Sequence, residues 1–386
     1  MAEPQSEVAV PATGAWRDGD PPGSRRFADL GPVDLELGGR LPNVRVAYET
    51  HGILAADAGN AVLIHHALTG DSHVAGPASP GQAAGWWEGL IGPGRPLDTD
   101  RWFIVCPNVL GGCQGTTGPA STAPDGSAWG SRFPRITVGD QVVVERLLAD
   151  RLGIERFALV IGGSMGGMRA LEWLVATPHR VGGAVLLATC AAATADQIAT
   201  QSAQILAITA DPHWRGGDYY DAAPGEGPHR GLGLARRFAH LTYRSDEELE
   251  GRFGRQPQAG EDPLGDGRFA VQSYLDHQAV KLARRFDANA YIVLTDAMST
   301  FDVGRHRGGV AAALSRVTTP VHVAGIDTDR LYPLRLQRAL VELIPTAAPL
   351  RVISSAVGHD GFLVEVDEVG SIVRQALGQG GSAPIR

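Results

Sequence analysis

One serine stands in a setting that could make it a nucleophile. Ser164 lies in the stretch GGSMG, which matches the pattern G-x-S-x-G. This pattern is typical of a sharp turn from a strand into a helix, where the backbone is crowded and the neighbours must be small. The apolar stretch FALVIG precedes the serine, and the helix-like stretch MRALEWLVATP follows it. The sequence therefore predicts that Ser164 is presented as a nucleophile at such a turn.

A serine nucleophile needs two further side chains, a base and a group that orients the base. Near the C-terminus, His359 follows Gly358 in a loop after an apolar segment, and Asp327 and Asp329 follow the apolar stretch TPVHVAGI. The order serine, acid, histidine is the one that accompanies this kind of turn. We expect His359 to be the base, whereas spacing alone leaves open which aspartate orients it.

The developing negative charge of an acyl-transfer reaction requires two backbone N–H donors. One donor belongs to the residue after the nucleophile, here Met165, and the other to a loop after an earlier strand, here near Leu68 in HHALTGD. The tandem His65 and His66 precede this loop, but no carboxylate or cysteine lies at metal-ligand spacing. We therefore predict no metal site and expect the two histidines to shape the loop.

Strand-like and helix-like segments alternate along most of the chain. The clearest strand-like segments cover residues 60–68, 101–110, 155–163, 181–189 and 319–326. Their continuous apolarity indicates burial on both faces, as in a parallel sheet between two layers of helices. The earlier stretches VDLELGG and VRVAYETHG alternate polar and apolar residues, which favours an antiparallel start to the same sheet. The predicted fold class is a doubly wound α/β protein.

A helical insertion interrupts this pattern. Residues 191–303 lack strand signals and carry several helix-like stretches, so we expect a helical lid domain above the carboxyl ends of the strands. Residues 27–190 and 304–386 would form the core. Residues 1–26 are polar and rich in proline and glycine, which predicts a loose N-terminal arm.

Composition and charge exclude several classes of function. The chain of 386 residues has a formal net charge of −8, which argues against nucleic-acid binding. No apolar run approaches the length of a membrane span, and the N-terminus lacks the pattern of a secretion signal. The cysteines Cys106, Cys113 and Cys190 cannot all pair, which is typical of a reducing compartment. We expect a cytoplasmic protein whose partners are small molecules, with no nucleic acid and no membrane.

Seven motifs, taken in order, resemble the homoserine O-acetyltransferase family of the α/β-hydrolase superfamily. They are HHALTGDSH, NVLGGCQGTTGPAS, IGGSMGGMRALEW, ARRFAHLTYRS, RFDANAY, DRLYPLRLQ and GHDGFL, and the match spans about residues 40–375. The resemblance implies an α/β-hydrolase fold, with a mostly parallel central sheet flanked by helices and a helical lid. It also identifies the aspartate of DRLYP, Asp329, as the acid of the triad. Asp327 stands where the family commonly has an uncharged residue.

The resemblance implies an acyltransferase that works in two steps without a metal or a tightly bound cofactor. Ser164 would take the acetyl group from acetyl-CoA, a co-substrate, and L-homoserine would accept it for methionine biosynthesis. The family places Arg236 against the carboxylate of the acceptor and Asp360 against its ammonium, with Tyr243 lining the site. It also implies a homodimer joined through the lid.

Three alternative functions stay open. The same two-step chemistry would serve a homoserine O-succinyltransferase or a serine O-acetyltransferase, although GGCQGTTGPAS resembles the acetyl-transferring type. An esterase or thioesterase would use the same triad, but it would not need Arg236 and Asp360 together. A binding protein on an inactive scaffold is disfavoured because the serine, aspartate and histidine are all present.

Overall fold

A single mixed sheet forms the centre of the structure, a computed structural model that describes residues 9–378. Within these residues the strands are β1 (Arg26–Asp34), β2 (Arg40–His51), β3 (Ala61–His65), β4 (Phe103–Pro107), β5 (Leu159–Gly163), β6 (Ala184–Leu187), β7 (Val321–Ile326) and β8 (Arg351–Ile353). Their spatial order is β1-β2-β4-β3-β5-β6-β7-β8. The pairs β1–β2 and β2–β4 are antiparallel, and all other neighbours are parallel. The predicted antiparallel start and parallel centre are confirmed, but the first strand lies earlier than predicted. Only Val33 and Asp34 of the stretch VDLELGG belong to β1, and the rest forms the turn that leads to β2.

Eleven α-helices lie within residues 9–378. They are α1 (Val138–Arg151), α2 (Met165–Ala176), α3 (Ala195–Thr209), α4 (His229–Tyr243), α5 (Asp246–Phe253), α6 (Ala270–Ala283), α7 (Ala288–Ser299), α8 (Val310–Leu314), α9 (Leu334–Leu343), α10 (Gly361–Val364) and α11 (Val366–Ala376). None of these helices combines the length and the apolarity that crossing a lipid bilayer requires.

Both faces of the sheet are covered, which explains why its central strands are continuously apolar. In β5, Val160 points into one hydrophobic core, while Leu159 and Ile161 point into the other. Helix α2 contributes Trp173 to the first core, and α11 contributes Ile372 to the second. This is the doubly wound α/β fold class that the sequence predicts, and it brings the carboxyl ends of the parallel strands to one edge.

The helical insertion leaves the sheet and returns to it at one place. Helices α3 to α7 all lie between β6 and β7 in the chain. Ala192 and Asp302 form an isolated antiparallel bridge at the base of this excursion. The segment is the one for which the sequence predicts a lid domain.

The N-terminal segment is bonded to the rest of the protein over part of the predicted arm. The Thr13 hydroxyl donates to the Asp287 carboxylate at 2.8 Å, and the Trp16 N–H donates to the Cys113 carbonyl at 2.9 Å. The first eight residues of the arm lie outside the described part of the chain. For residues 13–16, the structure thus differs from the expected loose arm, because the segment finds hydrogen-bond partners in both core and insertion.

Candidate active site

Ser164 lies at the tight turn between β5 and α2, as predicted. Its backbone has φ 56° and ψ −123°, a conformation that non-glycine residues rarely adopt and that is common at functional sites. A Cβ atom on Gly162 would lie 2.1 Å from the Gly166 carbonyl oxygen, and one on Gly166 would lie 2.3 Å from the His65 carbonyl oxygen. The glycines around the serine are therefore required for the turn to close.

His359 and Asp329 form a buried hydrogen-bonded pair. The His359 Nδ1 atom lies 2.7 Å from the Asp329 Oδ2 atom, and the two side chains are 4% and 0% exposed. The other carboxylate oxygen accepts the N–H groups of Leu331 and Tyr332 at 2.9 and 2.8 Å. The carboxylate is fixed on both oxygens, so it orients the imidazole with Nε2 left to exchange a proton.

Asp327 has a different role. Its exposed carboxylate accepts the Ser354 hydroxyl at 2.8 Å and the Ser355 N–H at 3.0 Å. These bonds connect the loop after β7 with the loop after β8. The geometry thus distinguishes the two aspartates that spacing leaves equivalent, and only Asp329 contacts His359.

Aromatic rings surround His359 and connect it to the serine. Tyr332 stacks on the imidazole with centroids 5.0 Å apart, and Phe362 meets it edge-on at 5.5 Å. The Phe362 ring also packs on Gly163, where an added Cβ would lie 2.4 Å from it. Burial raises the pKa of Tyr332 well above its usual range, against a smaller lowering by the adjacent Ser164 side chain. The histidine ring is therefore buried among aromatic side chains beside the nucleophile.

The protonation of His359 is set by two opposing effects. Burial lowers the pKa of the imidazole, but the charge of Asp329, its hydrogen bond and the charge of Asp360 together outweigh burial and raise that pKa. A base with a raised pKa accepts a proton from the serine more readily.

The two predicted oxyanion donors lie on separate elements. Leu68 is in the turn after β3, and Met165 is the first residue of α2. Within residues 9–378, neither backbone N–H donates to another group. Both donors are thus available to a ligand oxygen.

Arg169, to which the motifs assign no role, connects these two elements. This fully buried side chain of α2 donates from Nη2 to the His66 carbonyl at 2.5 Å and from Nη1 to Glu145 Oε1 at 2.7 Å. The second Glu145 oxygen accepts the Trp173 indole N–H at 2.8 Å. The helix that begins at Met165 is therefore tied to the loop that leads to Leu68. A charged residue inside the apolar helix stretch MGGMRALEW is the sequence signal that could have indicated this contact.

His66, the second of the tandem histidines, stabilises the same loop. The His66 Nε2 atom accepts the Val109 N–H at 3.1 Å, while Nδ1 lies 2.8 Å from the Ala67 carbonyl oxygen. Burial and the charge of Arg169 lower the pKa of His66 to about 3, so the ring is neutral. In the described part of the chain, no group of three or more His, Cys, Asp or Glu side chains could hold a metal ion.

Arg236 presents unpaired donors beside the triad. Its guanidinium carbon lies 5.6 Å from the centre of the Tyr243 ring, and that ring lies 5.8 Å from the His359 ring. Its Nε and Nη1 atoms are buried and have no partner among the described residues. The neighbouring Arg237, by contrast, forms an ion pair with Asp276. Buried donors without partners are costly, so Arg236 is suited to bind an anion.

The C-terminal end of α4 is attached to the loop that carries His359. The His359 N–H donates to the Tyr243 carbonyl at 2.8 Å, and a Cβ on Gly358 would lie 2.5 Å from that carbonyl oxygen. Arg244 forms an ion pair with Asp360 at 3.3 Å. The structure therefore brings Arg236, Tyr243 and Asp360 together around the histidine. Arg244 belongs to the motif ARRFAHLTYRS, but its partner cannot be recognised from the sequence.

The α/β-hydrolase fold family matches residues 60–366 of this chain. The homoserine O-acetyltransferase of Thermobifida fusca is 62% identical over 372 residues, which cover 96% of this chain and 98% of that protein. This chain belongs to the homoserine O-acetyltransferase family. Membership confirms the resemblance inferred from the seven motifs and the α/β-hydrolase fold that it implies.

Two solved structures, one of a homoserine O-acetyltransferase and one of an esterase, add to the comparison. A homoserine O-acetyltransferase from Bacillus anthracis superposes with a TM-score of 0.84 at 27% identity, covering 93% of this chain and 98% of that chain. Esterase E22 superposes with a TM-score of 0.83 at 27% identity, covering 92% and 99%. Because a transferase and an esterase match equally well, likeness of fold does not separate acyl transfer from hydrolysis.

Proposed function

We propose that this protein is a homoserine O-acetyltransferase that acts in methionine biosynthesis. It transfers the acetyl group of acetyl-CoA to the hydroxyl of L-homoserine through an acetyl-serine intermediate. The observation that carries the proposal is the 62% identity with the Thermobifida fusca homoserine O-acetyltransferase over nearly the whole of both chains. The pair of His359 and Asp329 beside the Ser164 turn supports the covalent mechanism.

In the first step, the Ser164 hydroxyl attacks the thioester carbonyl and His359 Nε2 accepts its proton. The N–H groups of Leu68 and Met165 stabilise the negative oxygen of the tetrahedral intermediate. Asp329 holds the imidazole and stabilises its positive charge. Collapse of the intermediate breaks the carbon–sulfur bond, coenzyme A leaves with the proton from the histidine, and the acetyl group stays on the serine.

In the second step, the homoserine hydroxyl gives its proton to His359 and attacks the acetyl carbonyl. The new ester leaves as O-acetylhomoserine, and the proton returns to Ser164. Arg236 binds the carboxylate of homoserine, Asp360 binds its ammonium, and Tyr243 lines the pocket. The unpaired N–H groups of Arg236 support this assignment, because a bound carboxylate would satisfy them. No step needs a metal or a bound cofactor.

An acetyl-serine must be protected from water until homoserine arrives. Ser164 and His359 are only 5% and 3% exposed, and the end of α4 is bonded to the histidine loop. A covered triad slows hydrolysis of the intermediate and favours the amino acid as acceptor.

We further propose a homodimer joined through the lid. Leu234, Phe238 and Leu241 of α4 are 46%, 40% and 44% exposed, and their spacing places them along one side of the helix. An exposed apolar stripe of this kind is typical of a protein interface, and a second copy of the lid would cover it. Light scattering after size-exclusion chromatography should give twice the mass of the chain. In Phe238→Glu the measured mass should fall toward that of the monomer.

We also propose a cytoplasmic location. The three cysteines are all free and buried, which is typical of proteins in a reducing compartment.

The activity is tested by measuring the release of free coenzyme A. Acetyl-CoA is supplied with homoserine, with serine or without an acceptor, and succinyl-CoA replaces it in a parallel series. We expect rapid release only with acetyl-CoA and homoserine together. Equal release without an acceptor would indicate a thioesterase. A preference for succinyl-CoA or serine would instead favour one of the other transferases.

A further inference from the structure

Tyr332 is a buried tyrosine that the mechanism proposed above does not use. It lies in the motif DRLYP, in the loop between β7 and α9, and it is 0% exposed. Its backbone N–H donates to Asp329 Oδ1 at 2.8 Å, and its ring stacks on the His359 ring with 21° between the two planes. Tyr332 thus contacts both the acid and the base of the proposed triad.

The hydroxyl of Tyr332 is buried and completes no hydrogen bond within the described part of the chain. Two other buried tyrosines differ in this respect. The Tyr219 hydroxyl donates to Asp287 at 2.7 Å, and the Tyr291 hydroxyl donates to Gln204 at 2.7 Å. An unpaired buried hydroxyl lowers stability, and a phenylalanine could stack on the imidazole equally well. The hydroxyl of Tyr332 therefore needs a functional explanation.

Four polar side chains influence the pKa of this hydroxyl, namely those of Ser164, Asp329, Cys190 and Tyr243. Ser164 acts on it as a hydrogen-bond partner, and the other three act through charge alone. Both carboxylate oxygens of Asp329 are already occupied, by the histidine ring and by two N–H groups. Burial raises the pKa of the Cys190 thiol to about 12, so this side chain is neutral and a weak acceptor. The Ser164 Oγ atom is therefore the acceptor that remains for the free O–H group.

The two hydroxyls are complementary as donor and acceptor. Burial raises the pKa of Tyr332 well above its usual range, so the phenol keeps its proton near neutral pH and offers one O–H donor. In the proposed mechanism Ser164 gives its own proton to His359, which leaves the lone pairs of its Oγ atom free to accept. Catalytic hydrogen bonds are commonly long in the free enzyme and shorten during the reaction. The bond between Tyr332 and Ser164 can therefore form once charge develops on Oγ.

The loop that carries Tyr332 is anchored on two sides, so its hydroxyl is positioned before the reaction begins. The N–H of the preceding residue, Leu331, donates to the Asp329 carboxylate at 2.9 Å. The carbonyl of Leu331 accepts a side-chain N–H of Gln197, in the first turn of α3, at 2.9 Å. A donor that is held in place in this way stabilises charge without the cost of rearranging.

We propose that Tyr332 is a further catalytic residue, whose hydroxyl donates a hydrogen bond to Ser164 Oγ when that oxygen carries negative charge. Such charge appears when Ser164 loses its proton to His359 during the attack on the donor. It appears again when the bond between the acetyl carbon and Oγ breaks during transfer to the acceptor. Tyr332 keeps its own proton throughout, so the exchange of protons between Ser164 and His359 is unchanged. The inference rests on the acetyl-serine mechanism of the proposed function.

The test removes the hydroxyl and keeps the ring, in Tyr332→Phe. Because one bond to a charged oxygen is lost, kcat/KM for acetyl-CoA and kcat/KM for homoserine should each fall by about 10- to 100-fold. The temperature of unfolding should not fall, since this hydroxyl has no partner to lose among the described residues. Tyr219→Phe is the matched control, because its equally buried hydroxyl bonds to Asp287 and has no part in the mechanism. It should lower the temperature of unfolding and leave both kinetic constants within about twofold of the wild type.

A substrate that needs no amino acid acceptor separates this proposal from the proposed function. p-Nitrophenyl acetate, an activated ester, acetylates a serine nucleophile and releases coloured p-nitrophenolate in an initial burst. The burst should be about 10- to 100-fold slower in Tyr332→Phe than in the wild type, whether or not homoserine is the natural acceptor. An equal burst rate in these two proteins, or an equal slowing in Tyr219→Phe, would overturn the proposal. A Tyr332→Phe protein that is less stable than the wild type, or does not fold, would also overturn it, because the hydroxyl would then be structural.

Discussion

The core and the helical insertion hold the proposed catalytic and substrate-binding groups in opposite ways. In the core, both carboxylate oxygens of Asp329 have partners, and glycines fix the turn of Ser164. In the helical insertion, Arg236 has two buried nitrogen atoms that find no partner among residues 9–378. A group that stabilises charge during the reaction benefits from being preorganised, whereas a group that binds a substrate must keep its bonding capacity free. In the proposed mechanism, this difference separates the chemistry, assigned to the core, from the recognition of the acceptor, assigned to Arg236.

The largest effect should come from disrupting the pair of Asp329 and His359 in the core. Asp329→Asn removes the charge that orients His359, and kcat should fall by about 10⁴-fold, as in other serine triads. Asp327→Asn is the matched control, because this exposed carboxylate bonds to Ser354 and Ser355 and does not contact His359. Its kcat should change less than about twofold. Steady-state kinetics of both variants distinguish the aspartates, and reversed effects would mean that the assigned triad is wrong.

The second prediction removes the proposed substrate-binding charge of Arg236 and leaves the residues of the core unchanged. Arg236→Gln should lower kcat/KM for homoserine by about 10- to 100-fold, because a charge-assisted bond to a carboxylate is lost. The rate at which acetyl-CoA acetylates the enzyme should fall much less, because Ser164 and His359 are untouched. Arg237→Gln is the control, because Arg237 is already paired with Asp276. An equal loss in both half-reactions would remove the distinction between the two regions.

The third prediction concerns the contact that joins the oxyanion donors. Arg169→Met leaves the buried Glu145 without its cation, so the free energy of unfolding should fall by about 3–5 kcal/mol. The kcat of the surviving folded enzyme should also fall, because the loop leading to Leu68 loses its bond to α2. Urea unfolding and steady-state kinetics measure the two effects. Full activity in a destabilised variant would show that Arg169 stabilises the fold only.

The smallest effect is a shift in pH dependence. His359 must be neutral to accept the proton of Ser164, so kcat/KM for acetyl-CoA should fall as the pH falls through the pKa of His359. That pKa is raised above its ordinary value of about 6.5, chiefly by Asp329 acting against burial. In Asp329→Asn the residual activity should therefore persist to lower pH than in the wild type. If the acid side of the pH profile of kcat/KM lies at the same pH in Asp329→Asn as in the wild type, the cause assigned to the raised pKa of His359 is wrong.

The core was more predictable from the sequence than the lid contacts. The strand, the glycines and the helix around Ser164 are adjacent in the chain, so a short stretch contains all the information for the turn. The choice between Asp327 and Asp329 came from family resemblance, and the structure gives its physical reason, since only one of these carboxylates contacts the imidazole.

Contacts between distant parts of the chain could not be predicted in the same way. Arg169 and His66 are separated by 103 residues, and no local pattern reveals that a guanidinium will meet that carbonyl. The bond between Thr13 and Asp287 spans 274 residues, so the polar composition of the N-terminal segment, which predicts a loose arm, does not reveal it. Such contacts depend on the packed fold rather than on local propensity.

The central claim is that homoserine discharges an acetyl group from Ser164, and intact-mass spectrometry tests it most directly. Mixing the wild-type protein with acetyl-CoA alone should add the mass of one acetyl group, on the peptide that contains Ser164, and Ser164→Ala should gain none. Adding homoserine should remove the group much faster than water does and produce O-acetylhomoserine. An acetyl group that still attaches to Ser164→Ala, or one that is lost equally fast with and without homoserine, would contradict the account.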